Sequence, residues 1–112
     1  MSRRIRRTGQ VRDDIIQIYR HIRRKSQKGA DLVFDAIERS IKALGEMPGV
    51  GRLWESPDPR LEGMRITTVT PYRNYLIFFR PTREAVEVFR VVHGAEELER
   101  LIDEIDFDFE SY

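Results

Sequence analysis

An α+β domain, with a helical hairpin packed on an antiparallel sheet, is what this sequence predicts. Three observations carry the prediction. Two stretches, residues 11–22 and 30–44, repeat apolar side chains every three or four positions, the period of a helix buried on one face. Three later stretches, residues 64–69, 75–80 and 85–92, alternate apolar side chains and are separated by turn residues, the pattern of a meander. A last helical pattern follows at Leu98, Leu101, Ile102 and Ile105.

In chain order, Ile5 stands between Arg3, Arg4, Arg6 and Arg7, which suits a short edge strand whose charges discourage edge pairing. This strand is expected to join the sheet beside the meander. Thr8 is a candidate cap for the first helix, whose buried face is Val11, Ile15, Ile18 and Ile22. Residues 25–29 break the pattern, and a second helix is expected from near Ala30. Its stripe is Ala30, Phe34, Ile37, Ile41 and Leu44, with Ala36 and Ala43 small enough for close approach. The short connection makes the two helices antiparallel neighbours.

Pro48, Gly49 and Gly51 end the second helix. Residues 52–63 are expected as a loop stiffened by Pro57 and Pro59. Residues 71–74 form the next turn. Tyr75, Ile77 and Phe79 share one face of their strand, and Leu76 and Phe78 the other. In the following strand Val86, Val88 and Val92 are assigned to one face, Phe89 and Val91 to the other. Strands apolar on both sides need cover on both faces of the sheet. Glu96 and Glu97 suit the positive N-terminal end of the last helix.

A chain of 112 residues makes one domain with one modest core, here residues 1–105, followed by an acidic aromatic tail over residues 106–112. The tail reads first as a frayed terminus; alternatively its aromatics pack back on the domain or its acids cover the basic half. Apolar residues are 40% and charged residues 35%, a globular balance rather than a disordered one. No apolar run approaches the ~18 residues of a membrane span, and no apolar stretch follows the basic N-terminus as a leader would require. Cysteine is absent, which removes thiolate chemistry and fits a reducing cytoplasm. Net charge is +1, but residues 1–56 carry 13 Lys/Arg against 7 Asp/Glu, and residues 57–112 carry 7 against 12. The basic half reads either as solvated helix faces or as a positive surface for an acidic partner or nucleic acid.

Catalytic signals are sparse. His21 and His93 lie far apart in sequence with no further ligand at metal-binding spacing, so neither a metal nor a cofactor is expected. His21 reads as a surface residue. Gly49-Val50-Gly51 follows no strand and is too short to cradle a phosphate. What remains is Arg65, Arg73, Arg90 and His93 around the sheet end. Together they could hold a scissile phosphate and move a proton; equally, the arginines could pair with Glu62, Glu87 and Glu96 while His93 bonds its turn.

One resemblance orders these readings. Asp13-Asp14-Ile15 and Ile18-Tyr19 in the first helix, Met47-Pro48-Gly49-Val50-Gly51-Arg52, and Leu61-Glu62-Gly63-Met64-Arg65 occur in that order, followed by Tyr75-Leu76-Ile77-Phe78-Phe79-Arg80 and Arg90-Val91-Val92-His93-Gly94-Ala95. Over roughly residues 8–102 this order and spacing resemble the ParE/RelE superfamily of small bacterial toxins. RelE-type members are ribosome-dependent mRNA endonucleases. The resemblance implies for them basic residues on the strand before the turn, an arginine opening the next strand, and an arginine or terminal tyrosine after the last. Here those places hold Ile66, Thr67 and Thr68, then Tyr75, then Ala95 and Leu101, with Arg73 near the second.

That departure favours the ParE branch, known for poisoning DNA gyrase. The resemblance then implies a binding toxin without chemistry of its own, neutralised by a ParD-like antitoxin in a hetero-oligomer. The alternatives are an mRNA endonuclease using Arg65, Arg73, Arg90 and His93, and an inactive scaffold retained for its antitoxin. The antitoxin segment is expected to be acidic and amphipathic. It would lie in a groove beside the helix hairpin and sheet, with Arg12, Arg20, Arg23, Arg24, Leu53 and Trp54 as rim candidates. Trp54 reads equally as a core cap.

Overall fold

The computed structural model describes residues 2–110. In chain order it contains β1 (Arg4–Arg7), α1 (Gly9–Arg23), α2 (Gln27–Ala43), β2 (Arg52–Leu53), β3 (Arg65–Thr68), β4 (Tyr75–Pro81), β5 (Ala85–His93) and α3 (Ala95–Leu101). Single 3-10 turns lie at Pro59–Leu61 and Ile102–Glu104. The strands form one mixed sheet in the order β1-β5-β4-β3-β2. β1 runs parallel to β5, and the remaining pairs are antiparallel. None of the described helices is long and apolar enough to cross a membrane.

The α+β class, the hairpin, the meander and the edge position of β1 follow the expectation. The fifth strand does not. β2 lies inside the segment read as a loop and pairs Arg52 with Ile66 and Leu53 with Arg65. Two residues are too few to show an alternation, so only the partner strand reveals them.

α2 starts a turn earlier than its apolar period suggests. The Ser26 hydroxyl accepts the Gly29 amide hydrogen bond at 2.8 Å, an N-cap that turns the expected breaker into the first turn. Thr8 stands at the N-cap position of α1 but does not cap it. It is fully buried where β1 leaves the sheet, and its hydroxyl donates to the Phe89 carbonyl at 3.0 Å. In α2 the buried face runs through Ala30, Val33, Ile37, Ile41 and Leu44. Phe34, assigned to that stripe from the sequence, instead stands 38% exposed, edge-on to Tyr19 with ring centroids 6.2 Å apart.

Both faces of the sheet are covered. The hairpin packs Val11, Ile15, Ile37 and Ile41 against Ile77, Phe79, Val86 and Val88. The other face gathers Met64, Ile66, Phe78, Phe89 and Leu98, with Trp54, Phe107 and Phe109 over them. The assigned faces hold for β4 but not for the end of β5. Phe78 pairs with Arg90 and Phe79 with Val88, so Phe89 is an extra residue, a bulge. Beyond it the alternation reverses: Val91 joins the hairpin side and Val92 the other.

The tail does not fray over its described residues. Asp106 to Glu110 run back across the second face. Phe107 and Phe109 meet Phe89 edge-on, with ring centroids 5.4 and 5.3 Å away. Phe107 and Phe109 are half-buried there, so each contributes a part of the roughly 1.5–3 kcal/mol that a fully buried large side chain supplies, which offsets the ordering cost of a short segment. Tyr112 lies outside the described residues.

Candidate functional site

α1 crosses the edge of β5 just where β1 stops. Asp14 therefore faces the part of that edge which β1 leaves unpaired. One carboxylate oxygen accepts from the Val91 amide at 3.0 Å and from Arg90 Nε at 2.8 Å; the other accepts from Arg90 Nη2 at 2.7 Å. Both side chains are buried. Burial pushes the Asp14 carboxyl above its ordinary range, against the hydrogen bonds from Arg90 and Val91 that hold it down. The bond to Asp14 is the largest effect on Arg90 and pushes that guanidinium up, against burial. Both values rise, which disfavours the charged form of Asp14 but favours that of Arg90, because desolvation dominates the first partner and the hydrogen bond the second. The guanidinium stays charged in either case, since arginine does not deprotonate in proteins.

The four candidate phosphate-handling residues are dispersed in their engagements. Arg65 donates to the carbonyls of Gly49, Val50 and Gly51 at 2.8–3.1 Å and so ties the loop after α2 to β3. Gly51 suits this approach: its φ is +77°, and a Cβ there would run into the Ile66 carbonyl. Arg90 holds Asp14. Arg73 is exposed in the turn before β4 and makes no ion pair among the described residues. His93 ends β5 with its ring edge-on to Tyr75 at 5.1 Å.

The fold does unite what the sequence separates. His21 and His93 line one cavity of about 530 Å³ with Gln17, Ile18, Tyr75 and Glu97. Burial raises the Tyr75 phenol above its ordinary pKa. Arg90 and His93 both line an adjoining space of about 300 Å³, but the guanidinium there is turned to Asp14. Among the described residues no three His, Asp or Glu side chains are placed to hold a metal ion.

A different arrangement appears on the outside of the hairpin. A groove of about 500 Å³ between α1 and α2 is lined by Ile16, Tyr19, Arg20, Arg23, Asp31 and Phe34, over Ile15 at its base. Ile16 is 39% exposed, so two large apolar side chains face solvent beside two arginines. Asp31 accepts from the Tyr19 hydroxyl at 2.7 Å, which satisfies part of that carboxylate.

Of the residues expected at a partner rim, Arg20 and Arg23 lie on this groove. Arg24 is exposed just beyond the end of α1. Arg12 is engaged elsewhere, 2.7 Å from Glu110. Leu53 is 55% exposed on β2, at the sheet end opposite β1. Trp54 caps the second core, edge-on to Phe78 at 6.0 Å. Sequence reasoning missed Ile16, Tyr19 and Phe34 as groove residues. The available signal was that Ile16 and Leu32 fall off the inner stripes, leaving apolar groups with nothing inside to meet.

The family model for the ParE toxin of the type II toxin–antitoxin system parDE matches residues 5–98. Among solved structures, one described as the chromosomal ParDE TA system from P. aeruginosa is similar in fold, with a TM-score of 0.68 and 21% identity. The alignment covers 83% of this chain and 97% of that one. No curated protein matches. With the matched span running from β1 into α3, this chain belongs to the ParE toxin family of type II toxin–antitoxin systems.

Proposed function

We propose that this toxin acts by binding DNA gyrase rather than by cutting RNA, and that a ParD-like antitoxin neutralises it in a cytoplasmic hetero-oligomer. Family membership supports the antitoxin partner. The observation that favours binding over cleavage is the state of two of the three candidate arginines: Arg65 is spent on three loop carbonyls and Arg90 on Asp14. A phosphoryl-transfer site needs such charges turned toward the reacting group. Purified protein is expected to inhibit negative supercoiling by gyrase. Inhibited translation with supercoiling untouched, or cleavage of transcripts on ribosomes, would reject the reading in favour of a RelE-like endonuclease.

The groove between α1 and α2 is the surface we assign to the antitoxin. Its chemistry suits an acidic amphipathic segment whose apolar anchors sit between Ile16 and Phe34 and whose carboxylates meet Arg20 and Arg23. Substituting both apolar residues, Ile16→Asp with Phe34→Asp, is expected to weaken antitoxin binding by about 100-fold or more, the loss of one or two anchoring contacts. Titration calorimetry of the variant against the antitoxin measures it; an unchanged affinity places the antitoxin elsewhere. Arg20→Glu with Arg23→Glu should also flatten the salt dependence of binding.

A further inference from the structure

The geometry points to a second recognition face, at the outer edge of β1, that binds an extended peptide alternating acidic and aromatic residues; the chain's own tail is its resident ligand. β1 ends the sheet, and its inner edge is taken by β5. On the outer side the Glu110 amide donates to the Arg7 carbonyl at 2.8 Å, and Thr8 and Phe109 form an antiparallel bridge. The tail thus begins an added strand. Main-chain bonds of this kind carry affinity in edge recognition, while alternate side chains carry specificity.

The side chains divide accordingly. Phe107 and Phe109 lie on the buried ring of Phe89. Arg60 stands over Phe107 and Arg6 over Phe109, with guanidinium carbons 5.7 and 4.6 Å from the ring centres. Glu110 meets Arg12 at 2.7 Å. The start of α1 joins in through Gln10, which donates to the Glu104 carbonyl and accepts from the Asp106 amide. Each of these receptor residues lies within the family match at residues 5–98, whereas the segment they hold lies beyond it. The face is therefore made by the family domain, and the ligand by the residues C-terminal to it.

A tether of a few residues presents the tail at an effective concentration on the order of millimolar, so even a weak contact stays closed in the intact chain. A partner segment of the same chemistry reaches the face only by out-competing it. The occupant is a peptide rather than a nucleic acid, because the Arg7 backbone carbonyl takes its hydrogen bond from a main-chain amide of the bound segment.

The test uses the full-length chain with its tail weakened by Phe107→Ala, Phe109→Ala and Glu110→Gln, and a labelled synthetic peptide of residues 105–112. By fluorescence anisotropy the peptide is expected to bind the weakened chain at least about tenfold more tightly than the native chain, whose face is already occupied. Adding Arg12→Ala should reduce that binding. Equal binding to both chains, or none to a weakened chain that circular dichroism shows folded, would overturn the proposal. So would a preference for a single-stranded oligonucleotide over the peptide. Should the weakened chain not fold, hydrogen exchange on the native chain decides. The Glu110 amide should exchange at least about a hundredfold faster than that of Ile77 in the central strand, since a displaceable segment opens locally. Equal protection of the two would make the tail ordinary core and end the idea.

Discussion

Asp14→Ala is expected to lower folding stability by about 3–5 kcal/mol, the cost of leaving three buried donors without an acceptor. The substitution removes the acceptor for three donors at once: two guanidinium nitrogens of Arg90 and the Val91 amide at the uncovered edge of β5. Chemical denaturation at neutral pH measures the loss. The pair as a whole is not a large net stabiliser. Burial raises the Asp14 pKa, so ionising the carboxyl inside the fold is itself costly. Replacing both partners with apolar residues, Asp14→Leu with Arg90→Leu, should therefore recover most of what the single variant loses. A double variant as unstable as Asp14→Ala would show that the charge is not the cause.

The pH dependence has a definite sign. An acid with a folded pKa above 3.8 binds more protons folded than unfolded in the interval between the two values. Its contribution to stability falls as pH rises through that interval. Asp14 is thus not a source of acid sensitivity, and Asp14→Asn should remove this slope without adding a new one.

Phe89→Ala should cost a similar about 3–5 kcal/mol, the range for deleting a buried aromatic ring, and lower the melting temperature by roughly 15 °C. Phe89 is fully buried. Its ring meets Phe78, Phe107 and Phe109 with centroids 5.3–6.4 Å apart, and the Arg80 guanidinium lies 5.2 Å over it. The residue is also the bulge, so the same position sets the phase of β5 and anchors the second core. Phe89→Leu, which keeps most of the volume, should cost less than half as much. Phe107→Ala in a Phe89→Ala background should add little, because the two share one contact. A Phe89→Ala melting point within about 3 °C of the parent would mean that the second layer contributes nothing measurable.

The candidate groove was half legible. Arg20 and Arg23 could be proposed from the charge of α1, and the structure puts both on one wall. Phe34 could not, because it shares the spacing of the α2 core stripe and differs only in which side of that stripe meets α1. His21 and His93 show the same limit. Each is ordinary in its own segment, and only the packing of α1 beside the end of β5 brings them to one cavity.

Two amphipathic helices, three alternating strands and the turns between them were specified by local pattern, since 3.6- and 2-residue periods need only a few neighbouring residues to be expressed. The choice of long-range partners was not. Asp14 reaches across 76 positions to Arg90, and Glu110 returns to the Arg7 carbonyl and the Arg12 side chain. The bulge at Phe89 reverses two faces that strict alternation had assigned. Such outcomes are decided by competition among many pairings for the same buried space, and that competition exists only once the chain has been packed together.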